Sequence, residues 1–392
     1  MSMYDTSTDT TKDTRTPSPA GGLKPLWLGI KWRFGAWRRG ERPLVNLTPI
    51  QARRLQNFRA NRRGFISAII LGTLMFLSLF ADLIANDKPI LVWYNGSLLS
   101  PVMQTYPETR FGGFLPTEAD YRDPAVREEI AAHGWALWPL VPYSYDTIVW
   151  SKSEEAPAPP SWSNPLGTDD QHRDVLARVI HGFQNSVWFA FLLAMVACAL
   201  GVSAGAVQGY FGGWTDLILQ RIIEIWTNIP SLYIIMILAA IFLPSFWLLL
   251  AILSLFTWVQ LSGVVRAEFL RGRNFEYVKA ARALGVSNTA IMFRHVLPNA
   301  MVATVTMLPF IFVGGITILT ALDFLGFGLP PGAPSLGELV RQGKENLYAP
   351  WLAVTVFITL SLTLSLVVFI GEAVRDAFDP RKTADVTGGS SK

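Results

Sequence analysis

The sequence predicts an all-α polytopic membrane protein with six transmembrane helices and a mixed α/β insert on the external side. Three observations carry that reading. Of 392 residues 51% are hydrophobic and only 16% charged, a balance too apolar for an ordinary soluble chain. Six stretches reach the roughly 20 apolar residues that a spanning helix needs: Phe65 to Ala85, Ser186 to Tyr210, Ile222 to Leu243, Phe246 to Val265, Ala300 to Leu322 and Trp351 to Ile370. Lys and Arg gather before the first stretch and after the fourth, so both places belong on the cytoplasmic side.

Residues 1–63 form a cytoplasmic N-terminal tail. Its first thirty or so residues are rich in Ser, Thr, Asp, Pro and Gly and lack an apolar face, so disorder is expected. No apolar core of a signal peptide is present there. Leu47 to Arg63 then reads as an amphipathic helix on the inner membrane surface, with Thr48 as its cap and Pro49 in its first turn. Its arginines fit a topology anchor or a specific ligand site. Residues 64–85 are the first span, and Asp82 near its outer end either reaches water or serves a proton relay.

Residues 86–183 are too long for a simple loop and are rich in Asp and Glu, which suits the outside. Within them ILVWY, Asn95-Gly96 and SLLS read as a β-hairpin with a two-residue turn. A short helix follows, capped by Asp123, opened by Pro124 and closed by Gly134. Trp135, Trp138, Tyr143, Tyr145 and Trp150 fit either the outer membrane interface or a small satellite core. His172 and His181 have no Cys or third His at ligand spacing, so solvated or hydrogen-bonded side chains are expected rather than a metal site.

A five-helix core occupies residues 184–378. In span two Gly201, Gly205, Gly209 and Gly213 recur every four residues, a stripe that lets another helix approach closely. Pro230 breaks span three early. Arg221 and Glu224 are placed for a structural ion pair or for a pathway role near the inner interface. Span five leads to an outer segment, residues 324–351, that reads as a rigid loop with one short amphipathic helix. Six spans return the C-terminal tail, residues 379–392 with Arg381 and Lys382, to the cytoplasm, so both termini are expected on the cytoplasmic side of the membrane. The net charge of +4 comes from these span-end clusters, and no nucleic-acid partner is expected.

Between spans four and five, FEYVKAARALGVSNTAIMFRHVLPN interrupts the apolar pattern within a cytoplasmic loop at residues 271–298. Tyr277, Ala281 and Leu284 share a helical face, Gly285 supplies a left-handed cap and Ser287 opens a second helix. Pro298 restarts the chain into the next span, and Ala280, Ala281 and Gly285 offer a close-packing contact face. This order of Ala-Ala, three residues, Gly, then Leu297-Pro298 resembles the EAA coupling loop of ABC importer permeases of the MetI-like type. Lys279 stands where that family has Glu, with Glu276 three residues upstream. The resemblance assigns Glu276, Lys279, Ala280, Ala281, Gly285, Leu297 and Pro298 to coupling with an ATPase. The charge contact alone is affected by the departure at Lys279.

The RHVLPN ending is similar to the dipeptide/oligopeptide (OppC/DppC-like) branch, and further matches run from about Asn164 to Arg381. Leu166, Gly167, Thr168, Asp169, Arg173 and Asp174 match its LGTD segment, with His172 where Gly is usual. Phe324, Leu325, Gly326, Gly328, Pro330 and Pro331, then Ala349, Pro350 and Trp351, match its outer segment. The insert resembles a narrower group that includes microcin C importers (YejE-like). The resemblance implies half of a translocation pathway for peptides or peptide-like solutes, shared with a second homologous permease subunit. It implies ABC ATPase subunits and a periplasmic solute-binding protein as further partners. No phosphate-binding G-x-x-x-x-G-K-[ST] occurs, so no cofactor is expected in this chain and ATP and Mg belong to the ATPase. The chain is therefore read as non-catalytic. The alternative, an ion-coupled secondary transporter acting without an ATPase, calls for inverted repeats and paired mid-bilayer charges, whereas the charges here lie at interfaces.

Overall fold

The computed structural model describes residues 49–149 and 155–378. The N-terminal tail, the Thr48 cap, Trp150 and the tail from 379 with Arg381 and Lys382 lie outside them. The chain divides into units 1–53 and 54–392. Of the first, only the opening of helix α1 (Pro49–Ala60) is described.

Helix α2 (Arg62–Ser78) is capped by Asn61, whose side chain accepts from the Gly64 N–H. The first span was expected to continue to Ala85. Instead α2 gives way at Leu79 and Phe80 to one turn, α3 (Ala81–Ile84). Its 17 residues rise about 26 Å, slightly less than the roughly 30 Å hydrocarbon core, and α3 adds the remainder. Gly64 sits so tightly on α12 (Pro350–Phe378) that a Cβ there would lie 2.1 Å from the Ala373 Cβ.

The insert begins with β1 (Leu91–Tyr94) and β2 (Ser97–Leu99), joined by Asn95 and Gly96 with φ 47° and 77°. Both central residues take the left-handed conformation that a primed two-residue turn requires. Helix α4 (Pro124–His133) follows, its Asp123 side chain accepting from the Ala125 N–H. Gly134 follows the last helical residue, as expected. Its extended backbone opens a third strand, β3 (Gly134–Leu137), antiparallel to β1 in the order β2-β1-β3. Any side chain at Gly134 would strike the Trp93 carbonyl, since a Cβ would lie 1.7 Å from it. The inner sheet face, Val92, Tyr94 and Leu99, packs on Phe111, Tyr121, Val126 and Ile130. The aromatics divide: Tyr143 is buried and Trp138 packs on this core, while Trp135 stays half exposed. Hydrogen bonds from Val141 N–H to the Ile84 carbonyl and from Asn86 N–H to the Val141 carbonyl sew the insert to the first span.

Among the described residues four helices are long and apolar enough to cross a membrane: α5 (Val175–Phe211), α8 (Phe246–Gly272), residues Asn288–Leu325, and α12. Helices α6 (Gly213–Thr227) and α7 (Ser231–Ile241), bent by 66° at their break, together are long and apolar enough to form one broken span or a re-entrant loop. Pro230 accounts for the break, because it has no N–H to donate and disfavours helical backbone at the residue before it. The break expected at Pro230 is present, and the span from Ile222 to Leu243 is two pieces, the first starting earlier than expected, at Gly213.

Helix α5 packs chiefly on α8 through three of the four stripe glycines. Added Cβ atoms at Gly201, Gly205 and Gly209 would lie 2.8, 2.5 and 2.5 Å from the carbonyls of Trp258, Ser262 and Arg266. Gly213 belongs to the next helix and meets nothing. Gln208 donates to the Ser262 hydroxyl across the seam at 3.2 Å. On α6, Asp216 accepts both donors of the Arg266 fork at 2.5 and 2.7 Å. Arg221 and Glu224 form the expected pair at 2.5 Å, but both side chains are exposed.

Candidate functional site

The loop that follows α8 starts at helix α9 (Glu276–Ala283). It ends in paired reverse bonds, Val286 N–H to the Ala281 carbonyl and Gly285 N–H to the Arg282 carbonyl, which need a left-handed residue at the turn. Gly285 supplies it with φ 77°. The Ser287 hydroxyl then accepts from the Ala290 N–H at 3.3 Å. The second helix was expected to stop before the next span. It runs on instead through a π-helical segment, Ile291–Val296, into α10 (Leu297–Leu325), with Pro298 in the first turn of α10. Because proline has no N–H, it leaves a carbonyl of the preceding turn unclaimed, and the wider ladder absorbs the mismatch.

Val278, Ala281, Ile291 and Val296 are buried against Tyr210 and Phe269. This corrects the expected contact face. Ala281 turns inward with Val278, while Tyr277 and Leu284 face out, Leu284 with 84% of its surface exposed. Small size and spacing reveal a face but not which neighbour it meets, and Val278 with Ala281 makes the narrower apolar stripe that the bundle takes. Glu276, Lys279, Ala280, Gly285 and Pro298 are exposed, and Leu297 is half buried. Phe293, 63% exposed, joins the outer surface. Around Gly285 an added Cβ meets nothing within 4 Å, so the room for a partner is real. Glu276 and Lys279 pair at 2.9 Å.

Residues that sequence reasoning missed brace this loop. The Tyr210 hydroxyl donates to Asn288 Oδ1 at 2.8 Å, Arg282 lies 5.7 Å from the Tyr210 ring centre, and Arg273 donates to the Tyr210 carbonyl at 3.3 Å. Asn299 donates to the Tyr277 hydroxyl at 3.0 Å. A tyrosine at the inner end of a span, within the GYFGGW run, was the available signal.

At the opposite end of α5 lies a buried ionic hub. The Asp169 carboxylate accepts from Arg173 Nε at 2.8 Å and lies 3.4 Å from Arg178 Nε. Arg178, fully buried, donates to Glu338 on α11 (Leu336–Glu345) at 2.6 Å, and Arg173 reaches the same carboxylate at 3.3 Å. Asp174 caps α5 by accepting from the Ala177 N–H and from Asn164, both at 2.7 Å. Burial pushes the Asp174 carboxyl up, against those two bonds. Burial also raises Asp170, and the Asp169 charge adds to it. Asp169, Arg173 and Asp174 were legible as a motif; Arg178 and Glu338 were not. The nearby His181 is buried, with Nδ1 3.0 Å from the Ala177 carbonyl and Nε2 3.3 Å from Asp82. Among the described residues no three His, Cys, Asp or Glu side chains are placed to hold a metal.

Residues 183–384 match the profile of a family described as binding-protein-dependent transport system inner membrane component. The chain is 57% identical over 360 residues to the peptidoglycan transport system permease protein YejE of Agrobacterium fabrum, covering 86% of this chain and 94% of that one. It is 53% identical over 339 residues to the inner membrane ABC transporter permease protein YejE of Escherichia coli, covering 86% and 99%. The oligopeptide transport system permease protein OppC of Lactococcus lactis subsp. cremoris is 34% identical over 57% of this chain and 78% of its own. A solved structure of the MetNI methionine ABC transporter in inward-facing conformations gives a TM-score of 0.44 at 16% identity, covering 52% of this chain and 96% of that one.

Proposed function

The chain belongs to the family of binding-protein-dependent transport system inner membrane components, and from that membership we propose that it forms half of a peptide pathway in an ATP-driven importer. A second homologous permease completes the pathway, a periplasmic binding protein delivers the solute, and ATP and Mg act on a partner ATPase. Peptides or peptide-like solutes are favoured by the likeness to relatives named for oligopeptide and peptidoglycan transport. The orientation proposed keeps both termini in the cytoplasm, from the Lys and Arg before the first span and after α8.

One observation carries the coupling role. The 276–298 segment is anchored by buried Val278, Ala281, Ile291 and Val296, yet presents Ala280, Leu284, Gly285 and Phe293 to the outside. An apolar knob beside a small-residue floor, in a loop fixed to the bundle, suits a protein partner that grips it. The coupling residues are then Glu276, Lys279, Ala280, Gly285, Leu297 and Pro298, with Ala281 setting the helix on its base. A Leu284→Cys substitution in a Cys198→Ala background tests this. In the assembled importer a short bifunctional maleimide should join it to the ATPase, and absence of that product in an assembled, ATP-hydrolysing complex would refute the docking assignment.

The insert is proposed as an outer cap that helps seat the binding protein. Its open groove of about 930 Å³ is lined by Asp87, Glu118, Asp120, Asp123 and Asp146 against Lys88 and Arg122. That excess of carboxylates favours a basic docking face.

A further inference from the structure

Helix α5 runs unbroken for 37 residues, about 55 Å, which exceeds what the bilayer requires. Both overhangs are tied down. At the inner end Tyr210 holds the loop through Asn288, Arg282 and Arg273. At the outer end Arg178 and Arg173 hold Glu338 on α11. Helix α11 lies at the mouth of the bundle, where Gly337 packs so closely on α10 that a Cβ would lie 2.2 Å from the Thr320 carbonyl. Between its ends α5 is stiff. Its contact with α8 brings backbone close to backbone along Gly201, Gly205 and Gly209, where an added Cβ would lie 2.5–2.8 Å from α8 carbonyls, so the two helices have little room to shift against each other there.

We propose that α5 is a rigid lever joining the coupling loop to α11, and that Arg178 and Glu338 are positioning residues that make α11 follow it. The proposal rests on the importer reading given above. An interior ion pair with this geometry is poor evidence for stability, because desolvation offsets most of the attraction. Its value lies in direction and persistence. The Arg178 guanidinium is held by Asp169 at 3.4 Å and by Glu338 at 2.6 Å, and it donates to the carbonyls of Tyr145 at 3.2 Å and Ala333 at 3.3 Å. It therefore fixes α5, the loop at Asp169, the insert and the segment before α11 to one another. A displacement of Tyr210 by the loop then reaches α11 as a rigid-body movement rather than fading through a chain of soft contacts. Coupling over such a distance is demonstrated only when both ends are perturbed together.

The test uses the complete importer in proteoliposomes, with its second permease, ATPase and binding protein. Cys198→Ala removes the native thiol, and Leu347→Cys, just after α11 and exposed, is labelled from outside with an impermeant maleimide. The probe is Mg-ATP with vanadate inside the vesicles. In the parent protein the labelling rate should change at least fivefold on adding nucleotide. Glu338→Gln should reduce that change to less than twofold while basal ATP hydrolysis persists, and Glu338→Asp, which keeps the charge, should restore most of it. Tyr210→Phe should weaken the same response from the other end. The double variant should be no worse than the stronger single one, because both cut one linkage. A full nucleotide response in Glu338→Gln, or multiplicative losses in the double variant, would overturn the lever. Absence of any nucleotide response in the assembled parent, with ATP hydrolysis also independent of this chain, would instead overturn the importer reading. If Glu338→Gln fails to assemble, Tyr210→Phe alone decides: an undiminished response at position 347 sinks the proposal.

Discussion

Replacing Gly205 by alanine adds one methyl group to the seam between α5 and α8. The new Cβ would sit 2.5 Å from the Ser262 carbonyl, 2.8 Å from the Val265 Cβ and 2.9 Å from the Arg266 nitrogen. Ordinary contact begins at 3.4 Å, so the helices must part by 3.4 − 2.5 = 0.9 Å at this level. Two of the three obstructing atoms are backbone, which no rotamer change can move. A gap of this size forfeits about a quarter to a half of the dispersion in each contact along the seam, and overpacking of this kind costs about 1–3 kcal/mol. Alanine also favours the helix over glycine by about 1 kcal/mol, so the informative number is a difference. Gly314, inside α10, is the control, since a Cβ there meets nothing within 4 Å. Gly205→Ala should be less stable than Gly314→Ala by about 1–3 kcal/mol, read as reversible unfolding in bicelles. Equal stabilities within about 0.5 kcal/mol, half the lower bound, would show that the stripe does not set the helix spacing.

Three further outcomes are expected. In the Cys198→Ala background, cysteines at Asn95 or Ser161 should label with an impermeant thiol reagent from outside and one at Ser287 should not; labelling at Ser287 in sealed cells reverses the topology. Gly285→Asp puts a side chain at φ 77°, at a backbone cost of about 1 kcal/mol or more. Because that side chain enters open space, the protein should reach the membrane at normal level yet lose transport and substrate-stimulated ATPase activity, and normal transport counts against docking at this turn. Replacing 87–150 by a short Gly/Ser linker should leave assembly with the second permease measurable and slow import. A deleted protein that imports at the parent rate, with unchanged salt dependence of binding-protein docking, removes the cap role.

Hydropathy located the apolar runs because burial in lipid is written residue by residue. It could not see where a helix continues into water. Val175 to Phe183 belongs to α5, but Arg178 and His181 make that stretch look like a loop until Glu338 and Asp82 are brought to them. An arginine eight residues before the apolar run from Ser186 to Tyr210 was the one local hint that a distant carboxylate exists. The hairpin at Asn95-Gly96 was legible because its turn chemistry is local. Strand β3 was not, since Gly134 gains its meaning from the approach of the Trp93 carbonyl. In the coupling loop the turn at Gly285 was readable and the inward side of α9 was not, because Tyr210 and Phe269, which define inward, lie far away in sequence.

The π-helical segment at Ile291–Val296 carries a consequence for rotational phase. The Leu297 N–H reaches back five residues to the Met292 carbonyl, so this turn holds one residue more than its neighbours. Each α-helical residue advances the screw by about 100°. Removing a single residue such as Met292 would let the ladder close as an ordinary helix with its flanks in phase, whereas the same residue held in an ordinary α-helix would swing everything upstream by about that angle relative to α10. The gripping surface would then be intact in sequence and aimed a quarter-turn away. Phase, as much as composition, is what this extra residue stores.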